Sequence, residues 1–154
     1  MSIETDIRAD SPAAHTFAPC GPSKRSAHGS TRHATILIVD DDPTTRRLLA
    51  GVFAFEGYRT LQASSGEAAL QLVRERAPDI VLLDLALPTL SGLDVLRILR
   101  QKRRHQPRVV VVSAYADYMT DADRSLADAS LSKPLDVDDL LDEVSRLASL
   151  VAPA

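Results

Sequence analysis

The sequence predicts an α/β domain built on a doubly wound, five-stranded parallel sheet. Three observations predict it. The unbroken apolar runs Ile36-Leu37-Ile38-Val39, Ile80-Val81-Leu82-Leu83 and Val109-Val110-Val111-Val112 read as strands buried on both faces. Segments with apolar residues at helical spacing stand between them. The βα unit recurs five times between residues 34 and 154, which is the length of one domain.

The elements follow in order. The first strand is Ile36–Val39. Asp42 then supplies an N-cap and Pro43 suits the first helical turn, so a helix carries Leu48, Leu49, Val52 and Phe53 and stops at Gly57. Tyr58 to Ala63 is a second, shorter strand. Ser64 or Ser65 caps a helix with Ala68, Ala69, Leu72 and Val73, which Pro78 stops. The third strand, Ile80–Leu83, ends at Asp84. Ser91 opens a helix with Leu93, Val95, Leu96, Ile98 and Leu99. The fourth strand, Val109–Val112, ends at Ser113. Residues 117–127 are polar and weakly helical, with Met119 and Leu126 as their main large apolar residues. Ser130-Leu131-Ser132 is a thin fifth strand. Asp136 caps a last helix with Val137, Leu140, Leu141, Val144, Leu147 and Leu150.

Residues 1–33 have a different texture. They hold three prolines, two glycines and five serines, with Ile3, Ile7 and Phe17 as the only large apolar residues. Such a segment buries too little surface to offset its ordering entropy, so a disordered tail is expected before a folded domain over 34–154. Cys20, His15, His28 and His33 lie there in no metal-ligand spacing. A single cysteine excludes a disulfide framework and points to a reducing, cytosolic compartment. No apolar run is long enough to span a bilayer, so no membrane insertion is expected. Net charge is −3, and the folded region is the acidic part, so no nucleic-acid footprint is expected either. The basic run Arg97, Arg100, Lys102, Arg103, Arg104, Arg108 reads as a solvated cap at a helix C-terminus.

In a doubly wound sheet the functional edge is the carboxyl end of the strands. Asp40, Asp41 and Asp42 end the first strand, Asp84 the third, Ser113 the fourth, and Lys133-Pro134 the fifth. Close carboxylates repel unless a cation lies between them. Asp41 and Asp84, with Asp40 nearby, make a hard-oxygen site suited to Mg2+. Magnesium implies phosphate. Asp84 is then a nucleophile able to form an aspartyl-phosphate, with Ser113 and Lys133 as ligands of the phosphoryl oxygens.

The stretches ILIVDDDPTTRRLL, PDIVLLDLALPTLSGLDVLRILR, VVVVSAYAD and LSKPL resemble the receiver domain of two-component response regulators over about residues 34–150. The resemblance implies a flavodoxin-like fold with strand order 2-1-3-4-5. It implies that Asp84 accepts a phosphoryl group from a sensor histidine kinase or a histidine phosphotransfer protein, and that a downstream protein reads the switch. Asp40 and Asp41 become the acidic pair, Asp41 the direct Mg2+ ligand, and Ala86 lends its backbone carbonyl to the metal. Ser113 is the switch hydroxyl, and Lys133, before a cis proline bond, pairs with phosphate. On this reading the chain is a stand-alone signalling receiver and not an enzyme.

The sequence departs from the family at Ser130, where an aromatic residue usually precedes the lysine by three positions. Tyr115 or Tyr118 could stand in, although a plain packing role is the simpler expectation. Family members tune phosphoryl lifetime two positions after the acceptor and two after the hydroxyl, here Ala86 and Tyr115. Two alternatives stand beside the receiver reading. Asp40-Asp41-Asp42-Pro43-Thr44 fits the nucleophile motif of haloacid dehalogenase-type phosphohydrolases, with Asp40 as nucleophile, but this leaves Asp84 without a role and puts Lys133 after the distal acidic pair. A pseudo-receiver would bind partners without phosphoryl turnover.

Overall fold

The computed structural model describes residues 34–102 and 104–151. The expected disordered tail, with Cys20 and three histidines, lies outside the described residues, as does Arg103. The chain runs β1 (Thr35–Val39), α1 (Pro43–Phe55), β2 (Arg59–Ala63), α2 (Gly66–Arg76), β3 (Ile80–Leu83), α3 (Gly92–Gln101) and β4 (Arg108–Ser113). A 3-10 turn (Ala116–Tyr118), a short α4 (Asp121–Arg124), β5 (Ala129–Ser132) and α5 (Val137–Ser149) complete it. The five strands are parallel in the order β2-β1-β3-β4-β5.

Strand alternation divides the core in two. Leu37, Val39, Val81, Leu83, Val109 and Val111 point to the side covered by α2 and α3, where Ala69, Val73, Val95, Leu96 and Leu99 meet them. Ile36, Ile38, Ile80, Leu82, Val110 and Val112 point to the other side, against Leu49, Ala50 and Phe53 of α1 and Leu140, Val144 and Leu147 of α5. Both faces need apolar side chains, which is why these strands show no polar alternation.

The helix ends are set by the residues the sequence marks. Asp42 accepts from the backbone N–H of Thr44 at 3.2 Å and of Thr45 at 3.0 Å. The Thr45 hydroxyl donates to the same carboxylate, and these bonds hold the Asp42 carboxyl below its ordinary pKa. Of the two candidate caps for α2, Ser65 is the one used, accepting from Ala68 N–H. Ser91 and Asp136 cap α3 and α5. Gly57 takes φ 89°, the left-handed turn that ends α1. At α2 the stop is reached differently, because Ala77 itself adopts φ 44° ahead of Pro78.

Within the basic run the structure departs from the expectation of a solvated cap at Arg97, Arg100 and Arg108, while Arg104 is exposed as expected. Arg97 donates from Nε and Nη2 to Asp123 Oδ1, at 3.1 and 2.7 Å. Asp128 accepts from Arg100 at 2.7 Å, from Arg108 at 2.9 Å and from the Val109 N–H at 2.8 Å. Arg100 also donates to the carbonyls of Leu126 and Pro107. Acids of the α4 region thus turn inward to bases at the end of α3 and the start of β4. These links hold a segment with few large apolar anchors, Met119 and Leu126 among them.

Arg97→Ala tests this. Asp123 is 7% exposed and would keep only the Thr120 hydroxyl as side-chain partner, so the thermal midpoint at neutral pH should fall by several degrees. Hydrogen bonds from Arg97 and then Thr120 hold the Asp123 carboxyl below its ordinary value of 3.8. The stabilisation is therefore complete above that value and is lost as pH falls through the lower folded-state value. The gap between parent and variant should close in strong acid; equal midpoints at neutral pH would show the pair to be passive.

Candidate functional site

The strand order makes the site. After β1 the chain crosses to one side for β2 and then returns to the other side for β3, so a crevice opens above the carboxyl ends of β1 and β3. Val39 and Leu83 are in register, and the Asp84 N–H donates to the Val39 carbonyl at 3.0 Å. The residues that follow each strand, Asp40 and Asp84, therefore emerge side by side. Ser113 and Ser132 are in register in β4 and β5, and the Lys133 N–H donates to the Ser113 carbonyl, which places the lysine next. The Lys133-Pro134 peptide is cis, as the resemblance implies.

The Lys133 ammonium lies between two carboxylates, 2.8 Å from Asp40 Oδ2 and 3.0 Å from Asp84 Oδ2. Both carboxylates are buried, with Asp40 3% and Asp84 6% exposed, whereas Asp41 is exposed. Burial alone would push the Lys133 pKa down, but the hydrogen bonds and charges of Asp40 and Asp84 outweigh it and hold the ammonium above its ordinary value. The lysine is charged at neutral pH. Each buried carboxylate also accepts a backbone donor. Asp40 Oδ1 takes the Asp42 N–H at 2.9 Å, and Asp84 Oδ1 takes the Ala86 N–H at 3.0 Å.

Asp40, Asp41 and Asp84 each place a carboxylate oxygen within 4.8 Å of the others. One ammonium contacts two of three clustered carboxylates, so the cluster holds more carboxylates than its lysine can pair. A small divalent cation that prefers carboxylate oxygen and keeps some of its waters fits this donor set. Ser113 is fully buried, and its Oγ accepts from the Tyr115 N–H at 3.2 Å.

Tyr115 and Tyr118 do not take the packing role expected of them. They are 57% and 82% exposed, their rings tilted against each other at a centroid distance of 6.3 Å. With Leu85, Leu93 and Met119 they line a small apolar hollow beside Ala86. Asp40, the nucleophile of the phosphohydrolase alternative, has one oxygen on Lys133 and one on the Asp42 N–H, the same kind of engagement as Asp84.

Two contributors escape sequence reasoning. Arg46 donates from Nη1 to the carbonyls of Asp40 and Asp41, at 2.7 and 3.1 Å, and so fixes the acidic loop. Nothing in the apolar periodicity marks it, because its role comes from the reach of its side chain to two carbonyls. Gly92 begins α3 hard against the loop after β3. A Cβ there would lie 2.1 Å from the Asp84 carbonyl oxygen and 2.6 Å from Leu85 Cα.

A doubly wound parallel sheet that brings carboxylates, an ammonium and a buried hydroxyl to its switch point defines a class of phosphate-handling α/β domain. Within that class, residues 36–145 match the response regulator receiver domain. The chain belongs to this family of two-component signalling phosphoacceptors. It is 37% identical over 117 residues to sporulation initiation phosphotransferase F of Bacillus subtilis, covering 75% of this chain and 94% of that one. It is 36% identical over 108 residues to the polar-differentiation response regulator DivK of Brucella ovis, covering 67% and 86%. Other relatives are much longer: the regulatory protein AtoC of Escherichia coli is 38% identical over 107 residues, 68% of this chain but 23% of AtoC. Among solved structures, the response regulator TrrA of Thermotoga maritima, in complex with Mg2+-BeF, aligns with a TM-score of 0.69 at 34% identity over 74% of this chain and 98% of that one. TrrA in complex with the histidine kinase ThkA aligns with a TM-score of 0.67 at 34% identity, over 74% of this chain and 97% of that one. No helix among the described residues is long and apolar enough to cross a membrane.

Proposed function

We propose that the chain is a magnesium-dependent phosphorylation switch in which Asp84 is the phosphoacceptor. The observation that carries the reading is the Lys133 ammonium set between Asp40 and Asp84 beside a third carboxylate, Asp41. The donor is a phosphohistidine on a sensor kinase or phosphotransfer protein, a reading supported by the kinase complex of the 34%-identical TrrA. We place the exchange in the cytosol, where such a donor meets a thiol-reduced chain.

An Asp84 carboxylate oxygen attacks phosphorus in line. The P–O bond forms as the P–N bond to the donor imidazole breaks, and the imidazole leaves with the electron pair. Asp40, Asp41 and Asp84 would hold Mg2+, with the Ala86 carbonyl as a further ligand; bound there, the ion screens the charge that accumulates on the transferring group. Lys133 then exchanges a carboxylate partner for a phosphoryl oxygen, and the Ser113 hydroxyl turns from the Tyr115 N–H to donate to another. Because Ser113 and Lys133 bracket the segment from β4 to β5, their shift moves the 3-10 turn and α4, and a downstream protein reads that movement. The chain acts as substrate of the transfer and as signal, not as a turnover enzyme.

The test is intact mass after incubation with acetyl phosphate, with and without Mg2+, followed by mapping of the modified residue. One phosphoryl group at Asp84, dependent on Mg2+, is the expected result. Modification at Asp40 would overturn the assignment in favour of the phosphohydrolase. Asp41→Ala should weaken Mg2+ binding by about tenfold or more in a calorimetric titration, because an exposed ligand is lost without disturbing the buried pair. An unchanged titration would remove Asp41 from the ligand set.

A further inference from the structure

Helices α3 and α4 are held in place by different means. Val95, Leu96 and Leu99 of α3 are fully buried in the core, and Gly92 sets its backbone hard against the Asp84 carbonyl. A close-packed helix of this kind has no room to shift. Between Ala116 and Leu126, by contrast, only Ala116, Met119 and Asp123 are buried. The place of α4 is therefore set largely by polar contacts.

Those contacts differ at its two ends. After α4, Asp128 accepts from Arg100, Arg108 and the Val109 N–H, and its own N–H donates to the Val109 carbonyl at 2.8 Å. Moving Asp128 would strip three donors at once, so this end is a fixed pivot. Within α4 the tie to α3 is the pair of Arg97 and Asp123. Each partner has a second contact that survives their separation. Arg97 Nη1 stands 3.7 Å from Asp94 Oδ1 on its own helix, and its side chain is half exposed. Asp123 Oδ2 accepts from the Thr120 hydroxyl at 2.8 Å, a bond that travels with α4. The pair can open without stranding either charge in an apolar site.

From this asymmetry we propose that Arg97 and Asp123 form a latch that holds α4 in its resting position and opens when Asp84 is phosphorylated, with Asp128 as the pivot. The opening rests on the phosphorylation reading above; the holding does not. The pull comes from Ser113, whose turn toward phosphate frees the Tyr115 N–H just ahead of the latched segment. Because α3 is fixed by its core face and by Gly92, it does not follow α4, and the pair must part. A contact made only in the resting state opposes the phosphorylated one. Its loss must therefore tighten binding of any group that fills the phosphoryl site. A plain anchor, present in both states, would lower stability and leave that affinity alone.

Two measurements on the full chain separate holding from opening. Without ligand, Arg97→Gln should speed hydrogen exchange at the Arg124 and Ser125 amides, whose bonds close α4, about fivefold or more, and leave Val109 at the parent rate. With Mg2+ present, beryllium fluoride stands in for the phosphoryl group and is titrated by heteronuclear NMR. It should bind Arg97→Gln about fivefold or more tightly than the parent. Asp123→Asn should act in the same direction, and the double variant should add little, as one shared contact requires. Arg146→Gln, which removes an ion pair with Glu143 on α5, should leave the affinity unchanged. Circular dichroism confirms that each variant is folded. Equal or weaker affinity in Arg97→Gln would overturn the latch and leave Arg97 a plain anchor. Unchanged exchange in α4 would overturn the holding role. A parent that binds no beryllium fluoride would remove the phosphorylation reading and the opening with it, while the exchange rates still decide whether Arg97 holds α4.

Discussion

Asp84→Ala is expected to abolish phosphoryl uptake: after incubation with acetyl phosphate and Mg2+ the variant should keep its unmodified mass, whereas the parent should gain one phosphoryl group. Asp40 and Asp84 are engaged alike, each buried with one oxygen on Lys133 and the other on a backbone N–H, so the expectation rests on the strand each follows and not on which carboxylate is free. Asp41 is exposed and makes no contact with Lys133 comparable to those of the buried pair. Asp84 alone combines a hydrogen bond to the ammonium with a place after the central strand β3. Fold loss does not complicate the result, because removing one of three clustered carboxylates relieves repulsion and leaves Lys133 its bond to Asp40. Asp84→Asn, which keeps the side-chain shape, should also fail to take label. Persistent single labelling of Asp84→Ala would sink the assignment.

Gly92→Ala should be the most disruptive small substitution. Its Cβ would sit 2.1 Å from the Asp84 carbonyl oxygen and 2.9 Å from the Asp84 carbonyl carbon. These are backbone atoms with no rotamer to retreat into, so either α3 or the loop after β3 must move. Overpacking against backbone costs about 3 kcal/mol, enough to lower the denaturation midpoint clearly. The displaced loop carries Asp84 and Ala86, so Mg2+ affinity in the variant should fall too. Gly51→Ala is the internal control: its Cβ meets nothing within 4 Å, and the better helix former should leave stability unchanged or slightly raised. Equal midpoints for Gly92→Ala and the parent would refute the close-approach argument.

Much of the site was legible because it sits at strand ends. Each apolar run stops at a polar residue, and in a parallel sheet all such stops fall on one edge. That is enough to collect Asp40, Asp41, Asp84, Ser113 and Lys133 without coordinates, and the caps Asp42, Ser91 and Asp136 follow from local hydrogen bonding of the same kind. Arg46 and Gly92 were not legible. Arg46 acts through its reach to two carbonyls, and Gly92 through a steric contact between segments, neither of which leaves a mark in periodicity. The plain packing role expected of Tyr115 and Tyr118 is not what the structure shows, since both are exposed.

The sequence by itself determined the element types, both apolar faces of the sheet, the helix caps and the set of residues at the functional edge. These depend on side-chain period and on hydrogen bonds between near neighbours, which a linear pattern records. Tertiary structure alone decided how those residues pair. Lys133 meets Asp40 across 93 positions and Asp84 across 49, through strand order and register. Arg97 and Arg100 cross 26 and 28 positions to Asp123 and Asp128, turning an apparent solvated cap into an anchor for α4 and β5. Charge sign is written in the chain. Which opposite charge lies within about 3 Å is fixed only when packed elements bring distant segments together, because an ion pair depends on distance and burial, not on separation in sequence.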